Sequence, residues 1–162
     1  MQLVILVLED EPEVRTALAR DLATFAGVVR VELAEDVDDA WQVVDELDGD
    51  LLALILSDHR LPGRTGVDFL VETTRDPRTC AARRVLVTGQ AGHADTIRAL
   101  NDGSLDHYIA KPWDPAELQR VVRTQLTDFV ADNHLDPLPV MAALDPVRAM
   151  ELVRHRPGGA TT

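Results

Sequence analysis

The most restrictive feature of this sequence is an alternation. Five short apolar runs (Leu3–Leu8, Val28–Leu33, Leu51–Leu56, Val85–Val87 with Thr88, and Tyr108–Ala110) are separated by stretches in which apolar residues recur every three or four positions. Runs of continuous Leu, Ile and Val fit strands buried on both faces, as in a parallel sheet covered by helices. The intervening stretches read as helices. Val14, Leu18, Leu22 and Phe25 follow Pro12 at helical spacing, and Gly27 closes the segment. Val37, Ala40, Trp41, Val44 and Leu47 follow Asp36 as N-cap, with Gly49 as terminator. Val67, Leu70 and Val71 mark a third helix that must end before Pro77, and Ala94, Ile97 and Leu100 a fourth with Gly103 after it. Asp114-Pro115-Ala116-Glu117 opens a fifth as a capping box, continuing through Leu118, Val122 and Phe129. Five strand–helix alternations predict an open α/β fold with right-handed crossovers.

The chain has 162 residues, enough for one domain with its own core, and 46% apolar and 27% charged residues exclude intrinsic disorder. Sixteen basic against 28 acidic residues give a net charge of −12, which disfavours binding to nucleic acid or to anionic membranes. The single cysteine, Cys80, cannot form an internal disulfide or a cysteine-based metal site and fits a reducing compartment. Leu3–Leu8 is too short for a membrane span and lacks the basic flank of a signal peptide, so a cytoplasmic location is expected.

Residues 134–162 differ from the rest. Asp136-Pro137 and Asp145-Pro146 can each start a helix, and Pro157-Gly158-Gly159 would stop the second. These residues are too few for an independent domain and read as an arm or linker. Val140, Met141, Leu144, Val147, Met150 and Val153 form a stripe that should cover something. The stripe packs back on its own domain, belongs to a frayed linker, or packs across a two-fold axis in a homodimer.

In open α/β sheets the functional edge lies beyond the carboxyl ends of the strands. Glu9 and Asp10 follow the first run, Asp58 the third, Thr88 closes the fourth, and Lys111 follows the fifth. Three carboxylates, a hydroxyl and an ammonium therefore converge. Carboxylates that close repel unless a cation compensates, and an all-oxygen site suits Mg2+ before Zn2+. A carboxylate beside such a metal can attack a phosphoryl group and form an aspartyl phosphate, with Lys111 as a point charge on the phosphoryl oxygens.

Glu9-Asp10-Glu11, Ser57-Asp58-His59-Arg60-Leu61-Pro62-Gly63-Arg64-Thr65-Gly66, Val87-Thr88-Gly89 and Tyr108-Ile109-Ala110-Lys111-Pro112 resemble the signatures of the receiver domain of two-component response regulators. The resemblance runs over roughly residues 2 to 130. It implies a doubly wound, flavodoxin-like five-stranded parallel sheet of order 2-1-3-4-5 with five helices, here followed by a short C-terminal helical arm. The implied division is a receiver domain over 1–133 and an arm or linker over 134–162. Asp58 resembles the phosphoacceptor, and Glu9 and Asp10 the Mg2+-binding acidic pair. The Arg60 backbone carbonyl falls where the family supplies another metal ligand. Thr88 and Lys111 resemble the pair that contacts the phosphoryl oxygens, and Tyr108 the aromatic switch residue. The Lys111–Pro112 bond is usually cis in the family. Gly89 stands for a more usual alanine and Leu61 for a methionine, while Arg60 and Gln90 occupy variable positions beside the site. The run from Leu105 to Asp114 resembles receivers joined to enzymatic or signalling modules more than those joined to DNA-binding domains.

The implied function is acceptance of a phosphoryl group from a histidine kinase or phosphotransfer protein onto Asp58 with Mg2+. That would switch a partner-binding or dimerisation surface formed by the helix at Ala94–Leu100, the strand at Tyr108–Ala110 and the helix from Asp114. The chain would catalyse its own phosphorylation and dephosphorylation, with an output partner unspecified. Two alternatives stand: a regulatory fragment of a longer protein with an enzymatic or signalling output, and a Mg2+-dependent small-molecule phosphohydrolase. Against the hydrolase, no second acid or base stands two residues after Asp58. An acidic pair opening a helix also serves as a simple cap, and Asp58 before a Pro-Gly loop also suits a turn. The five histidines show no metal-ligand spacing, and Arg83-Arg84 is too short a basic run to form a patch.

Overall fold

The computed structural model describes residues 1–89, 98, 102 and 104–156. The helix expected at Ala94, Ile97 and Leu100, its terminator Gly103, Gln90 and the stop at Pro157-Gly158-Gly159 lie outside the described residues.

Strands β1 (Leu3–Leu8), β2 (Val29–Ala34), β3 (Leu51–Ser57), β4 (Arg83–Thr88) and β5 (His107–Ala110) form one parallel sheet in the order β2-β1-β3-β4-β5. Every residue of β1 is buried because the strand is central and covered on both faces. Leu3, Ile5 and Val7 enter one apolar cluster; Val4, Leu6 and Leu8 enter the other. The continuous apolar run is thus the sum of two alternating faces.

The helices are α1 (Pro12–Leu22), α2 (Val37–Asp45), α3 (Gly66–Thr73), α4 (Pro115–Asp132) and α5 (Pro146–Arg154). α1 ends at Leu22 and continues as a 3-10 turn over Ala23–Phe25 before Gly27. Asp36 caps α2 by accepting from Asp39 N–H at 2.7 Å. Asp114 caps α4 through Ala116 N–H at 3.1 Å, without a return bond from Glu117, so no capping box closes. The α1 and α4 side chains Leu18, Leu22, Leu118, Val122, Leu126 and Phe129 fill the first cluster; Val44 and Phe69 of α2 and α3 help fill the second. Trp41 meets Phe69 edge to face at 5.8 Å. Among the described residues no helix is long and apolar enough to cross a membrane.

Residues 134–156 pack against this body. Leu138–Ala143 form a 3-10 helix, and α5 follows, capped by Asp145 on Arg148 N–H at 3.0 Å. Val140, Ala143, Leu144 and Ala149 join the same cluster as α1 and α4. Arg123 sits 5.0 Å over the Phe25 ring and donates to Ala142 O at 2.8 Å, and Arg148 pairs with Asp128 at 2.6 Å. The apolar stripe is therefore split. Val140 and Leu144 belong to the chain's own core, whereas Val147 and Met150 face outward, 70% and 44% exposed.

The Arg83-Arg84 pair forms no surface patch, and each side chain has its own setting. Arg84 is buried, donating to Thr73 Oγ1 at 2.8 Å and to the carbonyls of Ala82, Thr79 and Cys80 at 3.0–3.1 Å. Arg83 reaches Gln125 at 2.8 Å and Asp106 at 3.3 Å, binding the base of the sheet to α4.

Candidate functional site

Because the strands are parallel, their carboxyl ends share one edge. Backbone bonds continue past the strands and fix the residues that follow. Glu9 N–H donates to Ala34 O at 3.0 Å, Asp58 N–H to Leu8 O at 3.0 Å, and Lys111 N–H to Thr88 O at 3.0 Å. One carboxylate oxygen from each of Glu9, Asp10 and Asp58 lies within 4.8 Å of the others. Lys111 Nζ stands 2.9 Å from Glu9 Oε2 and 3.4 Å from Asp58 Oδ2. Asp10, Asp58, Arg60, Thr88 and Lys111, with Glu11 and Gly89, line an open cleft of about 470 Å³.

The acidic residues differ in setting. Glu9 is fully buried behind the cleft, where its carboxylate also accepts Glu11 N–H at 3.2 Å. Burial pushes its carboxyl above the ordinary 4.5; the Lys111 hydrogen bond opposes that and the Asp58 charge adds to it. Asp58 Oδ1 accepts His59 N–H at 2.7 Å, leaving Oδ2 toward Lys111. For Lys111, burial works to lower the ammonium's pKa, but the Glu9 hydrogen bond and the Asp58 and Glu9 charges outweigh it and hold the group above 10.5.

The loop after β3 brings its own backbone close. A two-residue antiparallel pair, Arg60–Leu61 with Arg64–Thr65, folds it back, and Gly66 N–H donates to His59 O at 2.7 Å. A Cβ on Gly66 would fall 1.9 Å from Asp58 O, so only glycine fits there. Ser57 Oγ donates to the same carbonyl at 2.9 Å. Thr88 is buried at the end of β4, and the Tyr108 hydroxyl, one strand over, donates to its carbonyl at 3.4 Å. The Lys111–Pro112 bond is cis.

Every residue singled out for the chemistry thus lies at this edge: Asp10, Asp58, Arg60, Thr88 and Lys111 in the cleft, Glu9 behind it and Tyr108 beside Thr88. Two further contributors shape the backbone rather than supply a reacting group. One is Gly66. The other is Arg15, whose Nη1 donates to Glu9 O at 2.9 Å and stands 3.5 Å from Asp10 O. The first is the last residue of the stretch from Ser57 that resembles a receiver signature; nothing in the spacing marks the second.

Residues 5–123 match the family described as the response regulator receiver domain. Response regulator Rre1 of Synechocystis is 30% identical over 160 residues, covering 98% of this chain and 67% of that protein. The phosphate regulon transcriptional regulatory protein PhoB of Escherichia coli is 38% identical over 114 residues, 70% of this chain and 47% of PhoB. The hydrogenase transcriptional regulatory protein HoxA of Bradyrhizobium diazoefficiens is 34% identical over 122 residues, 74% of this chain but 23% of HoxA. The chain therefore spans about two thirds of Rre1 and less than half of the two transcriptional regulators. Among solved structures, a CheY-like receiver domain from Methanospirillum hungatei superposes with a TM-score of 0.69 at 23% identity, over 82% of this chain and 99% of that one. The receiver domain of the sensor histidine kinase PA1611 of Pseudomonas aeruginosa, solved with magnesium coordinated in its active-site cleft, gives 0.62 at 27% identity, over 81% and 99%. With the sheet order and the strand-end residues already in place, this chain belongs to the response regulator receiver domain family.

Proposed function

We propose that Asp58 accepts a phosphoryl group from the phosphohistidine of a histidine kinase or phosphotransfer protein, with Mg2+ held by Glu9, Asp10, Asp58 and the Arg60 backbone carbonyl. The observation that carries this reading is the convergence of three carboxylate oxygens within 4.8 Å beside one lysine ammonium. An all-oxygen donor set with no thiolate or imidazole fits a hard divalent ion, and the coordinated magnesium in the related PA1611 receiver agrees with it. The ion, when bound, supplies neutralisation of the charge on the phosphoryl oxygens.

An Asp58 carboxylate oxygen attacks phosphorus; the P–N bond to the donor imidazole breaks, and the ring nitrogen keeps the electron pair. Asp58 is oriented for this by the His59 N–H and by the glycine-tight packing of its carbonyl. Lys111, shared between Glu9 and Asp58 beforehand, swings its charge onto the transferred oxygens. The Thr88 hydroxyl donates to another oxygen, and the move is felt by Tyr108 through its contact with the Thr88 carbonyl. The surface around β5 and α4 then changes its affinity for an output partner or a second copy. A cytoplasmic setting is part of this reading, since phosphohistidine donors are charged from ATP.

The receiver unit comprises 1–133, with 134–162 as an arm. Matches to 23% and 47% of two transcriptional regulators support reading the matched region as the switch of a larger assembly, with the output supplied elsewhere. Phosphoramidate, which carries the same P–N bond as phosphohistidine, tests the proposal. With Mg2+ it should add the mass of one phosphoryl group to the wild-type chain and nothing to Asp58→Asn. Continuous release of phosphate from a generic ester would instead mark a hydrolase.

A further inference from the structure

Glu9 and Asp10 lie where the chain has left β1 and has not yet entered α1. The Glu9 carboxylate is held by Lys111 and by Glu11 N–H. The Asp10 carboxylate makes no hydrogen bond or ion pair with any described residue. What fixes Asp10 acts on its backbone. Arg15, in the second turn of α1, is anchored by its own N–H on Glu11 O at 2.9 Å and turns its guanidinium back under the loop. Its Nη1 donates to Glu9 O at 2.9 Å and stands 3.5 Å from Asp10 O. Among the described residues Arg15 pairs with no carboxylate, so these carbonyls are its only partners.

A carbonyl in a part-buried loop needs a donor, and a guanidinium offers one in a rigid plane. Gripping two successive carbonyls restricts the two peptide planes flanking Asp10, and with them the directions in which both side chains leave the backbone.

We propose that Arg15 is a positioning residue for the acidic pair: by holding the Glu9 and Asp10 carbonyls it sets both carboxylates at the spacing at which, with Asp58, they take a hard divalent cation. The assignment rests on the reading of the site given above. It differs from a plain staple at the helix entrance, which would change fold stability and leave the metal affinity of the folded protein alone.

Calorimetric titration with Mg2+ separates the two. Arg15→Ala should stay folded and lose about tenfold in Mg2+ affinity, the scale on which groups orienting metal ligands act. Arg20→Ala, an exposed change on the same helix, should bind as wild type. Phosphoramidate labelling of Arg15→Ala should be slow at low Mg2+ and recover as Mg2+ is raised to saturation. If Arg15→Ala does not fold, Arg15→Lys takes its place, with a smaller loss of the same sign because one ammonium on a shorter reach holds the carbonyls less well. Wild-type affinity in a folded Arg15 variant overturns the proposal while leaving the site reading intact. Absence of saturable Mg2+ binding in the wild type overturns the site reading, and the assignment with it.

Discussion

Glu9 is the residue at which burial and charge conflict most directly. Its folded pKa lies above the ordinary 4.5 because burial outweighs the Lys111 bond. Its contribution to stability is therefore full below pH 4.5 and is lost as pH rises through the folded pKa. Without metal, Glu9→Gln should be more stable than wild type at pH 7 by about 1 kcal/mol, the gain usual when a strained site residue is relieved. The difference should close as the pH falls through the folded pKa and be gone below 4.5, and urea unfolding in chelator from pH 7 downward reads it. Gly66→Ala acts through space alone: a Cβ at 1.9 Å from Asp58 O forces the loop outward. A loss of about 3 kcal/mol in unfolding free energy, with slower phosphorylation, is the expected result. The strand-end residues Glu9, Asp10, Asp58, Thr88 and Lys111 were legible in the sequence because each closes an apolar run or stands within two residues of its end. Arg15 was not, because it acts on backbone carbonyls, and carbonyls carry no residue identity; Gly66 showed only as the last residue of the stretch from Ser57, without the close approach that requires it.

Among the elements, β4 and β5 carry the proposed relay from the site. Thr88 ends one, and Tyr108 in the other touches its carbonyl at 3.4 Å. Beryllofluoride with Mg2+, a phosphoryl mimic, should shift the NMR signals of the Tyr108 ring in the wild type. In Thr88→Ala that response should largely vanish while Mg2+ binding persists; equal shifts in both proteins would break the relay. The strands were readable to within a residue or two: β2 is Val29–Ala34 where the apolar run starts at Val28, and β4 begins at Arg83 where the run starts at Val85. The second shift has a clear cause. Arg84 is buried in the strand because neutral oxygens of Thr73, Thr79, Cys80 and Ala82 surround its guanidinium, and hydropathy counts such a residue as surface. The pair at Arg60–Leu61 and Arg64–Thr65 was equally hidden, since two-residue strands leave no periodicity.

For the whole molecule, the decisive contact is between the arm and the body. Read from the sequence, residues 134–162 are separable; in the fold, Val140, Ala143, Leu144 and Ala149 share a core with α1 and α4. The stripe's spacing showed that it needed a surface to cover, but periodicity does not say whose. At about 1.5–3 kcal/mol per large buried side chain, a chain ending at Asn133 should lose several kcal/mol and unfold at distinctly lower urea. An unchanged midpoint would mean that the arm packs without stabilising. Above all, the proposed chemistry at this edge of the sheet is an acyl phosphate on one aspartate. Borohydride reduction after phosphoramidate and Mg2+ treatment, followed by peptide mass mapping, locates that bond. One reduced position, Asp58, lost when Mg2+ is chelated, is the expected result; reduction at another carboxylate, or equal labelling without Mg2+, would refute an Mg2+-dependent phosphoaspartate at Asp58.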